Sequence, residues 1–171
     1  NREAFNGLQL DAIVHVASGC GVQLMEYENI GQKLNAPVSD ICTFLAAAGL
    51  LEKLRFSPLK RRVLIHSSCS LRRLQGAVAS VTELLRLIPG IDLQTLADSG
   101  CCGAAGSYLL LQPSMAERLR QSILQLVGKH ACDILVTSNT GCALHLAAGL
   151  ETSQSKIELM HPVQLLAQQL Q

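Results

Sequence analysis

The sequence predicts an α/β fold, a mostly parallel sheet with flanking helices, and three observations carry that reading. Apolar runs of strand length alternate with longer stretches of helical spacing, the order that threads a parallel sheet through crossover helices. The first three of those runs are nearly continuous in Val, Ile and Leu, as strands covered on both faces require. One strand–turn–Gly-Cys segment also occurs twice without a gap, as "DAIVHVASGC" at Asp11–Cys20 and "DILVTSNTGC" at Asp133–Cys142.

Taken in order, Asp11–Ser18 reads as the first strand. "ICTFLAAAGLL", Ile41–Leu51, lies between Asp40 and Glu52; it is too short to span a bilayer and reads as a buried helix. "RRVLIHSS", Arg61–Ser68, is the second strand, and Leu71–Leu87 then carries helical spacing of Leu and Val. "PSMAERLRQSI" opens a helix over Ser114–Val127, with Pro113 before Ser114 as N-cap and Glu117 three residues on. Asp133–Asn139 and Ser155–Pro162 read as the third and fourth strands, and Pro162–Gln169 as a closing helix. Each copy of the repeated segment is followed by a similar helix entry, "APVSDICTFLA" from Ala36 and "HPVQLLAQQL" from His161. Duplication is the reading that explains shared order and register, so an incomplete first unit is expected before a second unit with a long preceding part from about Arg61. The first unit has no counterpart of Arg61–Lys129, and the sequence begins with Asn1, so a piece of a longer protein is expected.

Composition narrows the function. With 49% hydrophobic and 16% charged residues, the 171-residue chain can bury a substantial core. Its 14 Lys and Arg stand against 13 Asp and Glu, which gives no field for nucleic acid, and 3% aromatics without Trp offer no base-stacking platform. Seven cysteines is an odd number, and they gather near glycines instead of spacing out a disulfide frame. That pattern belongs to thiol chemistry in a reducing compartment, so a cytoplasmic protein is expected, at most peripheral on the inner face of a membrane.

The cysteines are the chemistry. "GCCGAAGSY", Gly100–Tyr108, sets two thiols side by side on a glycine loop. Cys69 follows the second strand and Cys142 the third, so in a parallel sheet Cys69, Cys101, Cys102 and Cys142 converge where open α/β folds bind ligands. Thiolates are soft ligands for zinc, copper(I) or iron–sulfur clusters. Zinc sites favour cysteines separated by two to four residues, whereas adjacent cysteines splay and suit an extended cluster. Glycines 100, 103 and 106 let backbone N–H groups approach such a cluster.

"HSSCSL", "CCGAAGSYLLLQP" and "TSNTGCALHL" resemble the cysteine-rich CCG domain of glycolate oxidase iron–sulfur subunits. Lactate-utilisation proteins and heterodisulfide reductases share that domain, often as two tandem copies behind a ferredoxin module. "VASGCGVQLMEY" resembles the last third of the first copy and residues 61–171 the whole second copy, which implies that residues 1–60 are the last third of a first unit. The resemblance implies an electron-relay part of a flavin-dependent glycolate (2-hydroxy-acid) dehydrogenase. In that family a partner subunit carries FAD and oxidises the hydroxy acid, and a quinone or another acceptor takes the electrons. It implies cofactor ligation, by a 4Fe–4S type of cluster, at Cys69, Cys101, Cys102 and Cys142. Two positions depart from the family pattern, Asn139 where a C-x-x-C would begin and Ser70 where His follows the first cysteine. Both count against a five-thiolate non-cubane cluster; a conventional 4Fe–4S cluster, a zinc ion on the same four thiols, or a metal-free docking scaffold are the readings left.

Cys20 is placed like Cys142 and belongs to the first unit's site, where it is a further metal-ligand candidate; His66, three residues before Cys69, is another. Cys42 and Cys132 sit among core residues and read as packed thiols. His145 and His161 fall nearer the crevice than His15 and His130, Tyr108 is expected to cover the loop, and Arg72 and Arg73 read as a solvated helix start. The glycine loop lacks the Lys and Ser/Thr of a phosphate loop. No general base and hydride-accepting site can be assembled, so no catalytic residue is expected in this chain.

Overall fold

The computed structural model describes all residues except 50, 75, 97 and 98, and for residue 52 the backbone alone. The elements run α1 (Arg2–Asn6), β1 (Ile13–His15), α2 (Ser18–Met25), β2 (Val38–Asp40), α3 (Ile41–Ala47), β3 (Arg62–His66), α4 (Cys69–Arg73) and α5 (Ala77–Leu85). They continue with β4 (Asp92–Leu96), α6 (Tyr108–Leu111), α7 (Pro113–Gly128), β5 (Ile134–Val136), α8 (Thr140–Thr152), β6 (Glu158–Met160) and α9 (Pro162–Gln169). Strands pair in parallel throughout, as a four-stranded sheet in the order β4-β3-β5-β6 and a two-stranded sheet β1-β2. The α/β fold expected from the sequence is the fold observed.

The continuous apolar strands have the reason anticipated. Along β3, Val63 and Ile65 face a core shared with α5, α3 and α9, through residues such as Val81, Leu85, Cys42 and Leu165. Leu64 faces the opposite core, where Leu135 of β5 meets Ile123 and Val127 of α7 and Leu146 of α8. Side chains alternate across a strand, so both registers must be apolar when both faces are covered. Each such fully buried Leu or Ile contributes about 1.5–3 kcal/mol. At the other end, the Arg62 guanidinium grips Asp133 at 2.6 and 3.1 Å and its backbone N–H donates to the same carboxylate at 2.9 Å, which aligns β3 with β5.

An order recurs: β1–α2–β2–α3 and β5–α8–β6–α9 each run strand, helix with Gly-Cys in its first turn, parallel strand, helix. The last helix of each set is capped by the residue ending or following its strand. Asp40 Oδ1 accepts from the Cys42 N–H at 2.9 Å, and His161 Nδ1 accepts from the Val163 N–H at 3.1 Å.

Several boundaries differ from the sequence reading. The strands are shorter, because Ser18, Cys69 and Thr140 already begin helices. The stretch Leu71–Leu87 is broken by Gly76, whose φ of 75° leaves the helical region; Gln75 lies outside the described residues. Pro113, not Ser114, opens α7, since a first helical position needs no N–H, and Gln112 is its N-cap. The helix in Ile41–Leu51 stops at Ala47 and is buried on one side only: Cys42 is fully buried but Phe44 is 40% exposed; Leu50 lies outside the described residues. The edge strand β4 was not anticipated, because "DLQTL" is half polar and mostly exposed.

Candidate functional site: a cavity of converging thiols

At the carboxyl ends of β3 and β5 a cavity of about 450 Å³ opens, lined by Cys20, Cys69, Cys101, Cys102 and Cys142. The four thiols expected to meet do meet, and Cys20 joins them from the segment assigned to the first unit. Cys69 and Cys142 are not at strand ends, however. Each sits in the first turn of a helix, where local chemistry puts it: Ser68 Oγ accepts from the Leu71 N–H at 3.2 Å, and Asn139 Oδ1 accepts from the Cys142 N–H at 3.0 Å. Such side-chain acceptors stop the strand and start the helix. Cys20 likewise lies in the first turn of α2.

The adjacent cysteines divide their attention. Cys102 Sγ lies 2.6 Å from Cys142 Sγ, both buried, while Cys101 is half-buried. The Gly103 N–H donates to Cys101 Sγ at 3.3 Å. Hydrogen bonding from Cys142, helped by backbone N–H groups, pulls the Cys102 thiol down to about 7 against the cost of burial. Its partner Cys142 is pushed up by the same bond and by burial. Burial raises Cys101, with the Gly103 N–H opposing. Around the thiols the lining is Ala, Gly, Ser, Thr, Asn and Gln; among the described residues no Lys, Arg, His, Asp or Glu lines the cavity. Nor is any group of three or more His, Cys, Asp or Glu among them arranged around a single ion.

The loop is held from below and from the side. Gly103, at φ 83°, lies so close to α7 that a Cβ there would stand 2.8 Å from Ala116 Cα. The Arg72 guanidinium donates to the Ser67 carbonyl and, at 3.3 Å, to the Gly100 carbonyl. Arg72, exposed in α4 as a solvated helix start should be, is therefore also a clamp on the glycine loop; Arg73 pairs with Glu26 at 2.5 Å. The two positions that depart from the family pattern are joined, with Asn139 Nδ2 donating to Ser70 Oγ at 2.9 Å and Ser70 Oγ lying 2.8 Å from Ser18 Oγ.

Other candidates are placed elsewhere. His66 is wholly buried in the sheet with Nδ1 3.0 Å from Thr137 Oγ1, and does not line the cavity. His145 Nε2 donates to the Ala116 carbonyl at 3.1 Å, and His130 Nδ1 is 3.1 Å from Gln94 Oε1. His15 Nδ1 lies 3.9 Å from buried Asp40; the same carboxylate opposes the lowering of the His161 pKa that burial causes. Tyr108 starts α6 beside the cavity without lining it. Cys42 and Cys132 pack into the two cores as expected. Sequence reading missed Arg72, Asn139 and Ser18 as site builders, because their partners are distant along the chain.

Residues 63–147 match the family model of the cysteine-rich domain called CCG. This segment is a cysteine-rich CCG domain. The chain is 32% identical over 169 residues to a fumarate reductase (CoM/CoB) subunit of Methanothermobacter marburgensis, covering 97% of this chain and 33% of that protein. It is 36% identical over 158 residues to the glycolate oxidase iron-sulfur subunit of Escherichia coli, covering 84% and 37%. Against lactate utilization protein A of Halalkalibacterium halodurans the identity is 23%, over 92% of this chain and 68% of that one. The chain thus spans about a third of the length of the first two relatives. Among solved structures, glutamate racemase isoform RacE1 of Bacillus anthracis aligns with a TM-score of 0.50 at 12% identity, over 94% of this chain and 56% of that one. That likeness is one of fold alone.

Proposed function

We propose that this chain is part of the iron–sulfur subunit of a flavin-dependent glycolate (2-hydroxy-acid) oxidase or dehydrogenase. It relays electrons from an FAD-bearing partner subunit to an acceptor such as a quinone. The observation that carries the reading is the single cavity in which Cys69, Cys101, Cys102 and Cys142 converge from three separate turns. The donor set is soft, sulfur only and free of charged neighbours, which suits an iron–sulfur cluster. Those four cysteines would hold a 4Fe–4S type of cluster, with Cys20 as an additional thiol at the same cavity. Such a cluster supplies one-electron acceptor and donor chemistry when bound.

The chain's own residues prepare the place. The first turns of α2, α4 and α8 carry Cys20, Cys69 and Cys142 to one cavity wall. The Gly103 N–H, already on Cys101 Sγ, is a lever on potential. Arg72 fixes the loop that carries both central cysteines. With no Lys, Arg, His, Asp or Glu among the described residues of the cavity wall, we assign oxidation of the hydroxy acid to the partner. The recurring strand–helix order supports residues 1–60 as the end of a first CCG unit and residues 61–171 as a second. Among the described residues no helix is long and apolar enough to cross a membrane. We assign the protein to the cytoplasm, touching the inner face of the membrane where its acceptor requires it.

Visible absorbance, iron and sulfide of the anaerobically purified chain test the cofactor. A brown, iron-loaded protein is expected, and a colourless zinc-loaded or metal-free one would replace the relay with a docking scaffold. In the assembled enzyme, Cys102→Ser should abolish electron transfer to an external acceptor while flavin reduction by the hydroxy acid survives. Cys132→Ser should leave both steps intact. A Cys102 variant that reduces the acceptor normally would show the loop to be structural.

A further inference from the structure

The sulfurs of Cys102 and Cys142 approach to 2.6 Å, closer than two unbonded sulfurs rest comfortably, and a disulfide needs about 2.05 Å. Both are nearly buried, at 3% and 4% exposure, but both line the open cavity, so a small oxidant reaches them. Their anchors are firm. Cys142 is in the first turn of α8, capped by Asn139, and Cys102 precedes the glycine seated on α7. The sulfurs stand about half an ångström beyond bonding distance. Cys101 Sγ instead accepts from the Gly103 N–H at 3.3 Å, so the vicinal pair is not the one poised to close.

We propose that the metal-free chain carries a modification site, a Cys102–Cys142 disulfide formed by peroxide, which joins the glycine loop to α8. The Cys102 sulfur attacks one oxygen of hydrogen peroxide, an S–O bond forms, the O–O bond breaks and water leaves, giving a sulfenic acid. The Cys142 sulfur then displaces the hydroxyl group from that sulfur, an S–S bond forms and a second water leaves. Two thiols and one peroxide become one disulfide and two waters; the sulfurs lose two electrons, and their two protons end in the waters. A thiol reductant reverses the reaction. The bond depends only on the thiol geometry, not on the electron-relay reading. Under that reading it has a use, since it withdraws two ligands until a reductant frees them for cofactor assembly.

The test is alkylation of the whole chain, purified with an iron chelator, reduced, then treated with hydrogen peroxide. Intact mass after alkylation should fall from seven modified cysteines to five, with loss of two hydrogens and full recovery after dithiothreitol. Peptide mapping without reduction should join the Cys102 peptide to the Cys142 peptide. Cys132→Ser should keep that link, and Cys142→Ser should lose it without a new one to Cys102. Seven alkylated cysteines after peroxide, or a link from Cys101 to Cys102 or to Cys69 in its place, would overturn the proposal. Iron loading of the reduced chain fails or succeeds independently of this result, and so reports on the relay reading alone.

Discussion

His66 ends β3 with its ring inside the sheet, one nitrogen on Thr137 and the other without a partner among the described residues. Burial, aided by the nearby Arg72 charge, lowers its pKa from 6.5 to about 4, so the ring stays neutral in the folded chain. An unfolded chain binds the proton more readily, so this position favours folding above pH 6.5 and loses that advantage as the pH falls through 4. The full effect is about 3 kcal/mol. His66→Gln should flatten the acid limb of a urea-unfolding stability profile, and an unchanged limb would assign it to other groups. Asn139→Ala removes both a helix cap and the bond to Ser70, and should cost about 1–2 kcal/mol in the same assay, with Asn139→Asp recovering the cap. The cysteines were legible in the sequence because glycines and short turns punctuate them. Asn139 was legible only as a departure from a pattern, since its partners Ser70 and Ser18 are 69 and 121 residues away.

Among the elements, the glycine loop meets α7 backbone against backbone. Gly103 combines a left-handed backbone with contact against Ala116 backbone, whereas Gly106, also at positive φ, has open space where a Cβ would stand. Gly103→Ala should therefore destabilise by about 2–4 kcal/mol and Gly106→Ala by about 1 kcal/mol, read from denaturant midpoints. Equal losses would mean that φ alone sets the cost and that the loop does not bear on α7. Strand and helix order could be read ahead because apolar runs of the right length leave few alternatives. The helical setting of Cys20, Cys69 and Cys142 could not, because an apolar strand running into "HSSC" or "TSNTGC" gives no periodic signal where it ends. The cap bonds of Ser68 and Asn139 decide that boundary, and they exist only once the turn has formed.

At the scale of the whole chain, the two recurring sets share a core. Cys42 of α3 is buried beside Val81 and Leu165, and Ser18 at the start of α2 bonds Ser70 and its N–H donates to the Ser138 carbonyl. Residues 1–60 should therefore not unfold ahead of the rest. Alkylation of Cys42 and of Cys132 along a urea titration should follow one curve; earlier exposure of Cys42 would make the first segment a separate folding unit. Recurrence itself was legible from the ungapped Gly-Cys segments. Convergence of Cys20 with the other thiols was not, since it depends on how the two sheets stand against each other. The uncharged wall of the thiol cavity has one last consequence. Beyond the thiols, its polarity comes from Gln23, Ser70, Asn139 and Thr140 and from peptide groups in the first turns of α2 and α8, which carry no charge across the ordinary pH range. Apart from the thiols themselves, a guest in that cavity would meet a wall that lysine-modifying enzymes leave as they find it.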